Sequence, residues 1–225
     1  MIISVEAISD AGLLAAIQGK LPALTWRDGR KTAGAAAARV KRNEQAVMDE
    51  PAAKALAKEL DKAVGGNAVV KAAARPRKIS PLLISKTMNG GHYGAHIDNA
   101  IMDSGAGRLR SDISFTLFLS DPESYSGGEL VIHHAGGMHS VKGKPGELVL
   151  YPSTSIHEVT PVTSGERIVC AGWIESLVPD SAQREALFDL ENLRVSLRGS
   201  LPAGAAELLT LDKTIANLLR MWAQP

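Results

Sequence analysis

The stretch ISFTLFLS, residues 113–120, is a short apolar run that begins after Asp112 and ends before Asp121-Pro122. Runs of this length between turn-forming residues are typical of β-strands. Four similar runs lie at residues 79–87, 129–133, 147–151 and 166–174. We therefore predict that residues 69–176 form antiparallel β-structure of the sandwich or barrel type.

The segments on both sides of this β region have helical patterns. Upstream, Ser9-Asp10 can cap a helix that ends near Leu21-Pro22, and Pro51 can open another that stops at Gly65-Gly66. Between them, the Ala-rich residues 32–42 are left without an assigned structure. Downstream, Pro179-Asp180 precedes a return to helical spacing. The predicted organisation is mixed α and β, with an N-terminal helical buttress (1–77), a β core (78–178) and a C-terminal helical extension (179–225).

The composition argues against several classes of partner. The chain has 225 residues with 25 Lys and Arg against 24 Asp and Glu, so no charge excess indicates nucleic acid binding. No segment approaches the roughly 20 apolar residues that span a bilayer. Cys170 is the only cysteine, so we expect a small buried apolar residue and no intrachain disulfide. We expect a cytoplasmic protein that binds neither nucleic acid nor membrane.

His96, Asp98 and His157 are the candidate metal ligands. In a strand, residues i and i+2 point to the same face, so His96-Ile97-Asp98 delivers an imidazole and a carboxylate to one side. His157 follows the apolar run 147–151, and a jelly roll brings such distant segments together. Two imidazoles and one carboxylate form the facial ligand set of mononuclear non-heme Fe(II) oxygenases. We predict that these side chains hold Fe(II).

Other histidines offer weaker alternatives. A single His in a strand is more often a hydrogen-bonded core or surface residue, and a bare His-x-Asp pair is common by chance. His133-His134 and His139 form a second cluster, but adjacent strand residues face opposite sides and no carboxylate lies two residues away. His92 can be a substrate-pocket group or lie in a loop beside Gly90-Gly91.

Arg167 is the candidate for binding a co-substrate carboxylate, because a guanidinium pairs with a carboxylate through two hydrogen bonds. Turn-forming residues at 163–165 predict a hairpin that places Arg167 on the strand next to His157, with His157 opposite Ala171 or Gly172. The resulting offset between His157 and Arg167 along the strands is about 15 Å. An extended five-carbon dicarboxylate bound to the metal, together with an arginine side chain, can cover that distance.

The strand that carries Arg167 also predicts one wall of the pocket. Val169, Ala171 and Trp173 share the face of Arg167 by period-2 alternation. Core packing is an equally good interpretation of Trp173, and an ion pair with Glu166 is the alternative for Arg167 in the absence of the triad.

Several further residues and loops are assigned supporting roles. Tyr93 and Asn99 flank the ligand pair and are candidates for hydrogen bonds to the co-substrate or to a ligand. Gly127-Gly128 is interpreted as scaffold at the entry of a strand. The loops at residues 102–108 and 122–128 are expected to line the mouth of the pocket.

With these residues assigned, the chain resembles the Fe(II)/2-oxoglutarate-dependent dioxygenases of the prolyl-4-hydroxylase-like superfamily, and within it the bacterial PKHD-type hydroxylases. The similarity covers nearly the whole chain and is specific in the combination of its segments. These are residues 26–34, 39–43, 94–100, 127–130, 151–157, 165–167, 173–176 and 183–190.

The resemblance implies a double-stranded β-helix (jelly-roll) core flanked by the N-terminal and C-terminal helices. It also implies Fe(II) on His96, Asp98 and His157, 2-oxoglutarate paired with Arg167, and L-ascorbate as the reductant. The superfamily usually has a tyrosine nine residues before the first histidine ligand, and here that position is Thr87. Thr87 or Tyr93 is therefore expected to supply the co-substrate hydrogen bond.

The predicted function is an Fe(II)- and 2-oxoglutarate-dependent dioxygenase that hydroxylates an unidentified substrate with O₂ and releases succinate and CO₂. A non-catalytic metal-binding sensor is the alternative from another class, although a sensor of metal alone has no need of Arg167. A zinc hydrolase could use the same ligands but lacks an evident general base. A small-molecule substrate is favoured over a protein side chain, and the oligomeric state is left open.

Overall fold

The computed structural model describes residues 1–32, 38–103 and 107–225, and shows mixed α and β structure with antiparallel sheets. The helices are α1 (Ala11–Lys20), α2 (Pro51–Gly66), α3 (Ala68–Ala74), α4 (Ser181–Ser200) and α5 (Ala206–Trp222). The strands of the N-terminal third are β1 (Ile3–Glu6), β2 (Trp26–Asp28), β3 (Lys41–Arg42), β4 (Glu44–Ala46) and β5 (Pro76–Ile79).

The remaining strands lie between residues 83 and 176. They are β6 (Leu83–Met88), β7 (His92–His96), β8 (Ile101–Asp103), β9 (Arg108–Arg110), β10 (Ile113–Phe118), β11 (Ser126–Gly127), β12 (Leu130–His134), β13 (Gly137–Val141), β14 (Glu147–Pro152), β15 (His157–Val159), β16 (Val162–Ser164) and β17 (Glu166–Ser176). Single 3₁₀ turns cover Leu21–Ala23, Gly29–Thr32 and Pro122–Ser124.

Two antiparallel sheets position the site. The major sheet has eight strands in the order β1-β14-β10-β17-β6-β4-β2, with β5 paired to β17. The minor sheet has five strands in the order β13-β12-β15-β7-β3. Residues of both sheets line one cavity, so the site lies where the sheets face each other. The prediction of antiparallel β-structure is confirmed from Pro76 to Ser176, but it is wrong for residues 69–74, which belong to helix α3.

The hydrophobic core joins the helices α1 to α3 to the major sheet. Leu56, Leu60 and Val64 of α2 recur on one helical face and are fully buried, which is the pattern of an amphipathic helix packed on a sheet. They belong to one cluster with Leu117 of β10 and Cys170 of β17. The prediction that Cys170 is a buried apolar residue is confirmed. This packing fixes β10 and β17, two of the strands that line the cavity.

The description of residues 1–77 as a purely helical buttress is wrong. The strand β1 pairs with β14, β4 pairs with β6, and β3 pairs with β7, so the N-terminal third extends both sheets. These strands have two to four residues, which is too short for a period-2 pattern to register, and pairing with longer strands stabilises them. The Ala-rich segment 32–42 lies partly outside the described residues, and its last two residues form β3. Where the structure is described, no helix is long and apolar enough to cross a membrane.

Candidate metal centre

The side chains of His96, Asp98 and His157 converge at one point. His96 ends β7 and His157 begins β15, and the antiparallel register sets these two residues directly opposite each other. Asp98 follows two residues after His96. One nitrogen or oxygen atom of each side chain lies within 4.8 Å of the others, and His157 Nε2 is 3.7 Å from Asp98 Oδ2. The triad that the sequence predicts is therefore assembled by the fold.

Backbone carbonyls fix which ring nitrogen of each histidine is free. His96 Nδ1 lies 2.8 Å from the Gly94 carbonyl oxygen, and His157 Nδ1 lies 3.1 Å from the Ser155 carbonyl oxygen. A carbonyl oxygen only accepts, so each Nδ1 carries the proton and donates it. Each Nε2 then has a free lone pair, which is the state in which a histidine ligates a metal.

Two buried serines hold the carboxylate of Asp98. Ser114 Oγ donates to Asp98 Oδ2 at 2.5 Å, and its oxygen lies 2.7 Å from Ser153 Oγ. Because the single proton of Ser114 is donated to Asp98, Ser153 is the donor in the second contact. Ser114 lies on β10 of the major sheet, whereas His96 and His157 lie in the minor sheet. The relay therefore orients a ligand across the gap between the sheets, as outer-shell groups do at metal sites.

Aromatic rings pack around the two imidazoles. The Tyr93 ring stacks on His96 with 3.6 Å between centroids and 17° between planes, and Tyr151 lies edge-on to His157 at 5.0 Å. Burial and the neighbouring His157 lower the pKa of His96 to about 4, with partial opposition from Gly94 and Asp98. A neutral His96 is the form that can donate its lone pair to a cation.

Arg167 lies in the same cavity as the triad, but the predicted hairpin between the strands of His157 and Arg167 does not form. His157 lies in β15 between β12 and β7, whereas Arg167 lies in β17 between β10 and β6, so the two residues belong to different sheets. The residues between them form β16, which pairs with β11. Gly165, at φ 72°, passes so close to the Ser124 carbonyl oxygen that a Cβ would lie 2.1 Å from it. That turn directs the chain into the major sheet instead of closing a simple hairpin.

The guanidinium of Arg167 is enclosed by the protein. Only 2% of Arg167 is exposed, and its guanidinium carbon lies 5.6 Å from the centroid of the Phe118 ring. Gly128, at φ 72°, packs behind it, and a Cβ there would lie 2.9 Å from Arg167 Cδ and 3.1 Å from the Tyr125 ring. Arg167 Nε and Tyr125 Oη make no hydrogen bond in the described part of the chain. Burial lowers the pKa of Arg167, and Tyr125 and Tyr151 partly offset that effect.

The cavity that contains the triad and Arg167 has a volume of about 440 Å³. Val169, Ala171 and Trp173 line it, as their shared face predicts, and the predicted supporting residues Thr87, Tyr93 and Asn99 line it too. Thr87 is the register partner of Arg167 on β6 and is buried. The ion pair of Arg167 with Glu166 does not form, because Glu166 is exposed whereas Arg167 points inward.

Other sequence candidates lie away from this cavity. His133 Nε2 is 3.6 Å from Glu158 Oε1, and His134 is exposed. Among the residues that the structure describes, the triad is the only cluster of three or more potential ligands. His92 lines a separate surface crevice. The loop 122–128 packs behind Arg167 and does not line the mouth, because Tyr125 and Gly128 turn toward the guanidinium. In the other predicted mouth loop, Met102 and Asp103 line the cavity and residues 104–106 lie outside the described residues.

Sequence reasoning missed three residues of the site: Lys41 and Ser114, which line the cavity, and Ser153, which contacts Ser114 behind it. Ser114 and Ser153 lie in strands or turns whose residues look like ordinary hydroxyl positions of a β-sheet. Lys41 lies in a two-residue strand beside an Ala-rich segment that has no clear pattern. Their roles depend on which strands pair, and no local motif carries that information.

Comparison with known proteins agrees with this geometry. The model of the 2OG-Fe(II) oxygenase superfamily matches residues 82–175, and the model of the PKHD-type hydroxylase C-terminal domain matches residues 181–224. The chain is 51% identical to a PKHD-type hydroxylase of Hyphomonas neptunium over 98% of this chain and 99% of that protein. It is 45% identical to a PKHD-type hydroxylase of Synechococcus elongatus over the full length of both.

Solved structures with low sequence identity share the fold. A prolyl hydroxylase of Trichoplax adhaerens, in complex with a hypoxia inducible factor peptide fragment, has a TM-score of 0.60 at 14% identity, covering 83% of this chain and 86% of that one. A prolyl-4-hydroxylase of Pseudomonas putida has a TM-score of 0.52 at 19% identity, covering 78% and 92%. The full-length relatives and the superfamily match together show that the chain belongs to the PKHD-type hydroxylases, within the 2OG-Fe(II) oxygenase superfamily.

Proposed function

We propose that this protein hydroxylates a small organic molecule, with Fe(II) held by His96, Asp98 and His157 and 2-oxoglutarate paired with Arg167. The proposed framework is a double-stranded β-helix core at residues 78–178, flanked by N-terminal and C-terminal helices. The observation that carries the proposal is the common cavity: three ligand atoms within 4.8 Å of one another and a buried guanidinium open into the same space.

The donor set fits Fe(II). Two neutral imidazole nitrogens and one carboxylate oxygen are the ligands of the facial triad, which leaves positions open for a co-substrate and O₂. The tautomers fixed by Gly94 and Ser155 present both Nε2 atoms, and Ser114 orients the carboxylate. Asp98 also supplies the charge that favours a divalent cation.

The surroundings of Arg167 fit a carboxylate of 2-oxoglutarate. A guanidinium enclosed without a carboxylate partner is costly, and a dicarboxylate bound to the iron would supply that partner. Arg167 Nε has no acceptor among the described residues, and Thr87, its register partner on β6, lines the same cavity. These contacts support Thr87 as a hydrogen-bond donor at this end. Tyr93, which stacks on His96, is closer to the metal end of the cavity.

Each part of the chain then has a defined task. When bound, Fe(II) and 2-oxoglutarate supply the oxidising power by reaction with O₂, with release of succinate and CO₂. The triad would hold the metal, and Arg167 would hold the distal carboxylate of 2-oxoglutarate. Val169 and Trp173 form an apolar wall that orients the substrate and limits access of water. The buried Arg167 argues against a metal sensor without oxidation chemistry.

Two further proposals concern the setting of the reaction. L-Ascorbate is proposed as the reductant that keeps the iron ferrous, because the exposed mouth of the cavity leaves it open to small molecules from solution. A cytoplasmic location is proposed because the single cysteine is buried and free, so the chain has no disulfide that would require an oxidising compartment.

Succinate formation tests the proposed function. Purified protein with Fe(II), ascorbate and 2-oxoglutarate under air is expected to form succinate slowly without added substrate, and His157→Ala is expected to form none. Glu158→Ala is a matched control on the same strand, outside the ligand set. Absence of both iron binding and succinate formation in the wild-type protein would refute the proposal.

A further inference from the structure

Lys41 is a buried cation of the cavity, and the described residues supply no counterion for it. It lies on β3 opposite Tyr93 of β7, and it is only 7% exposed. Its ammonium lies 4.9 Å from the centroid of the Tyr93 ring, the same ring that stacks on His96. Lys41 lines the cavity together with the triad and Arg167. It is therefore placed near the triad, on the minor-sheet side.

The contacts of Lys41 do not compensate its charge. In the described ranges of the chain, no carboxylate lies within ion-pair distance of Lys41 Nζ and no acceptor hydrogen-bonds to it. Asp98 and Asp28 attract it only from a distance, and burial lowers its pKa to about 8. Lys86 shows the contrast: it also lies over an aromatic ring, Trp26, but pairs with Glu44 at 2.8 Å.

Asp98 and Arg167, two other charged groups of the cavity, have partners of their own in the proposed reaction. Asp98 serves the metal, and Arg167 serves 2-oxoglutarate. Asp103, on β8 at the mouth, is exposed to solvent and is not within ion-pair distance of Lys41. Among the described cavity residues, Lys41 is thus the cation without an assigned anion, and an unpaired buried charge is costly to retain.

The other residues that line the cavity indicate the polarity of the rest of the ligand. Ile97 and Ile101 line the mouth of the cavity with 58% and 55% of their surface exposed. Trp173 also lines the cavity, and its indole Nε1 is buried without an acceptor in the described residues. A large apolar surface next to two unpaired donors suits a ligand that has an apolar body and an acceptor-rich end.

We propose that Lys41 recognises the substrate, and that the substrate is a small organic anion with an apolar body whose carboxylate or equivalent group pairs with the Lys41 ammonium. This inference rests on the proposed function and names the substrate class of the same site. Lys41 is a specificity-determining residue in this account, and the carboxylates of 2-oxoglutarate are bound elsewhere.

A pair of probes that differ in charge tests the proposal. 4-Fluorobenzoate and 4-fluorobenzamide have similar size, and their binding to the protein loaded with Fe(II) and 2-oxoglutarate under nitrogen can be followed by fluorine NMR. We expect the wild-type protein to bind the benzoate about tenfold or more tightly than the benzamide, the scale of one charge-assisted hydrogen bond. Lys41→Met should remove this preference, and Lys41→Arg should retain most of it. Lys86→Met is the matched control and should behave as the wild-type protein.

The same variants distinguish the two possible anionic partners of Lys41, which are the substrate and 2-oxoglutarate. Calorimetric titration should give Lys41→Met an affinity for 2-oxoglutarate within about twofold of wild type, because Arg167 is intact. The proposal is overturned if the wild-type protein shows no preference for the benzoate, or if Lys41→Met keeps it. It is also overturned if Lys41→Met loses 2-oxoglutarate affinity and leaves benzoate binding unchanged, since Lys41 would then serve the co-substrate.

Failure of the proposed function has a different signature. In that case the wild-type protein does not bind 2-oxoglutarate and forms no succinate. The probe titration is then made in the Arg167→Gln background without co-substrate, where Lys41 is the remaining buried cation among the described residues of the cavity. Loss of the benzoate preference on adding Lys41→Met would still support the assignment, and its retention would reject it.

Discussion

Replacement of Ser114 by alanine isolates the hydrogen bond that orients Asp98, a proposed metal ligand. The Ser114 hydroxyl donates to Asp98 Oδ2 at 2.5 Å, and Ser114 is 1% exposed, so water cannot replace the lost donor without a rearrangement. A hydrogen bond to a charged group contributes about 1.5–3 kcal/mol. Since about 1.4 kcal/mol corresponds to a factor of ten, metal affinity is expected to fall by roughly 10- to 100-fold, the usual effect of losing an outer-shell partner.

Metal binding can be measured directly for this variant. Anaerobic competition between the protein and a coloured chelator gives the dissociation constant for Fe(II), with Mn(II) as an air-stable substitute. Ser153→Ala should have a smaller effect than Ser114→Ala, because Ser153 contacts the ligand only through Ser114. Ser140→Ala, an exposed serine on β13, is the control and should leave affinity unchanged. An affinity of Ser114→Ala within twofold of wild type would refute the role assigned to the relay.

Three further predictions follow from the packing and charge around the site. Gly128→Ala should raise the KM for 2-oxoglutarate about tenfold, because the new Cβ would lie 2.9 Å from Arg167 Cδ. Gly90→Ala is the control, because Gly90 has a similar φ of 73° but open space around it. This variant should lose only about 1–2 kcal/mol of stability and keep the wild-type KM. Lys41→Met should be more stable than wild type at pH 7, by up to about 3 kcal/mol, in urea unfolding without metal. Because the pKa of Lys41 falls from 10.5 to about 8 on folding, the wild-type protein gains stability as pH rises from 8 to 10.5. The difference in unfolding free energy between Lys41→Met and wild type should therefore shrink over this range. A difference that stays constant with pH would contradict the burial of a charged Lys41. Leu187→Ala, at a fully buried position of α4, should cost about 2–4 kcal/mol of stability. The affinity for 2-oxoglutarate should stay unchanged, because α4 packs away from the site. A large loss of that affinity would contradict this separation.

The triad was predictable because its signal is local and chemical. His96 and Asp98 are two residues apart at a strand end, and His157 is the first residue of a strand after an apolar run. Arg167 was assigned to the right cavity through a hairpin that does not exist. The inward face of β17 was correct because period-2 alternation does not depend on which strand lies alongside.

Residues whose roles depend on strand pairing could not be predicted from the sequence. Lys41 reaches the cavity because β3 pairs with β7, and Ser114 meets Asp98 because β10 faces the minor sheet. The N-terminal strands were missed for a related reason: strands of two to four residues have little pattern of their own, and their stability comes from the sheets they join.

The central claim is that the triad binds Fe(II) and Arg167 binds 2-oxoglutarate in one cavity. The most direct test is an anaerobic titration of 2-oxoglutarate into the Fe(II)-loaded protein, followed by the visible charge-transfer absorption of the chelate, for wild type and Arg167→Gln. The account predicts saturable binding at one equivalent in wild type. In Arg167→Gln it predicts unchanged iron affinity and 2-oxoglutarate affinity weaker by about 30-fold or more, the cost of removing one partner of a buried charge pair. Equal 2-oxoglutarate affinity in the two proteins, or no chelate absorption in wild type, would contradict it.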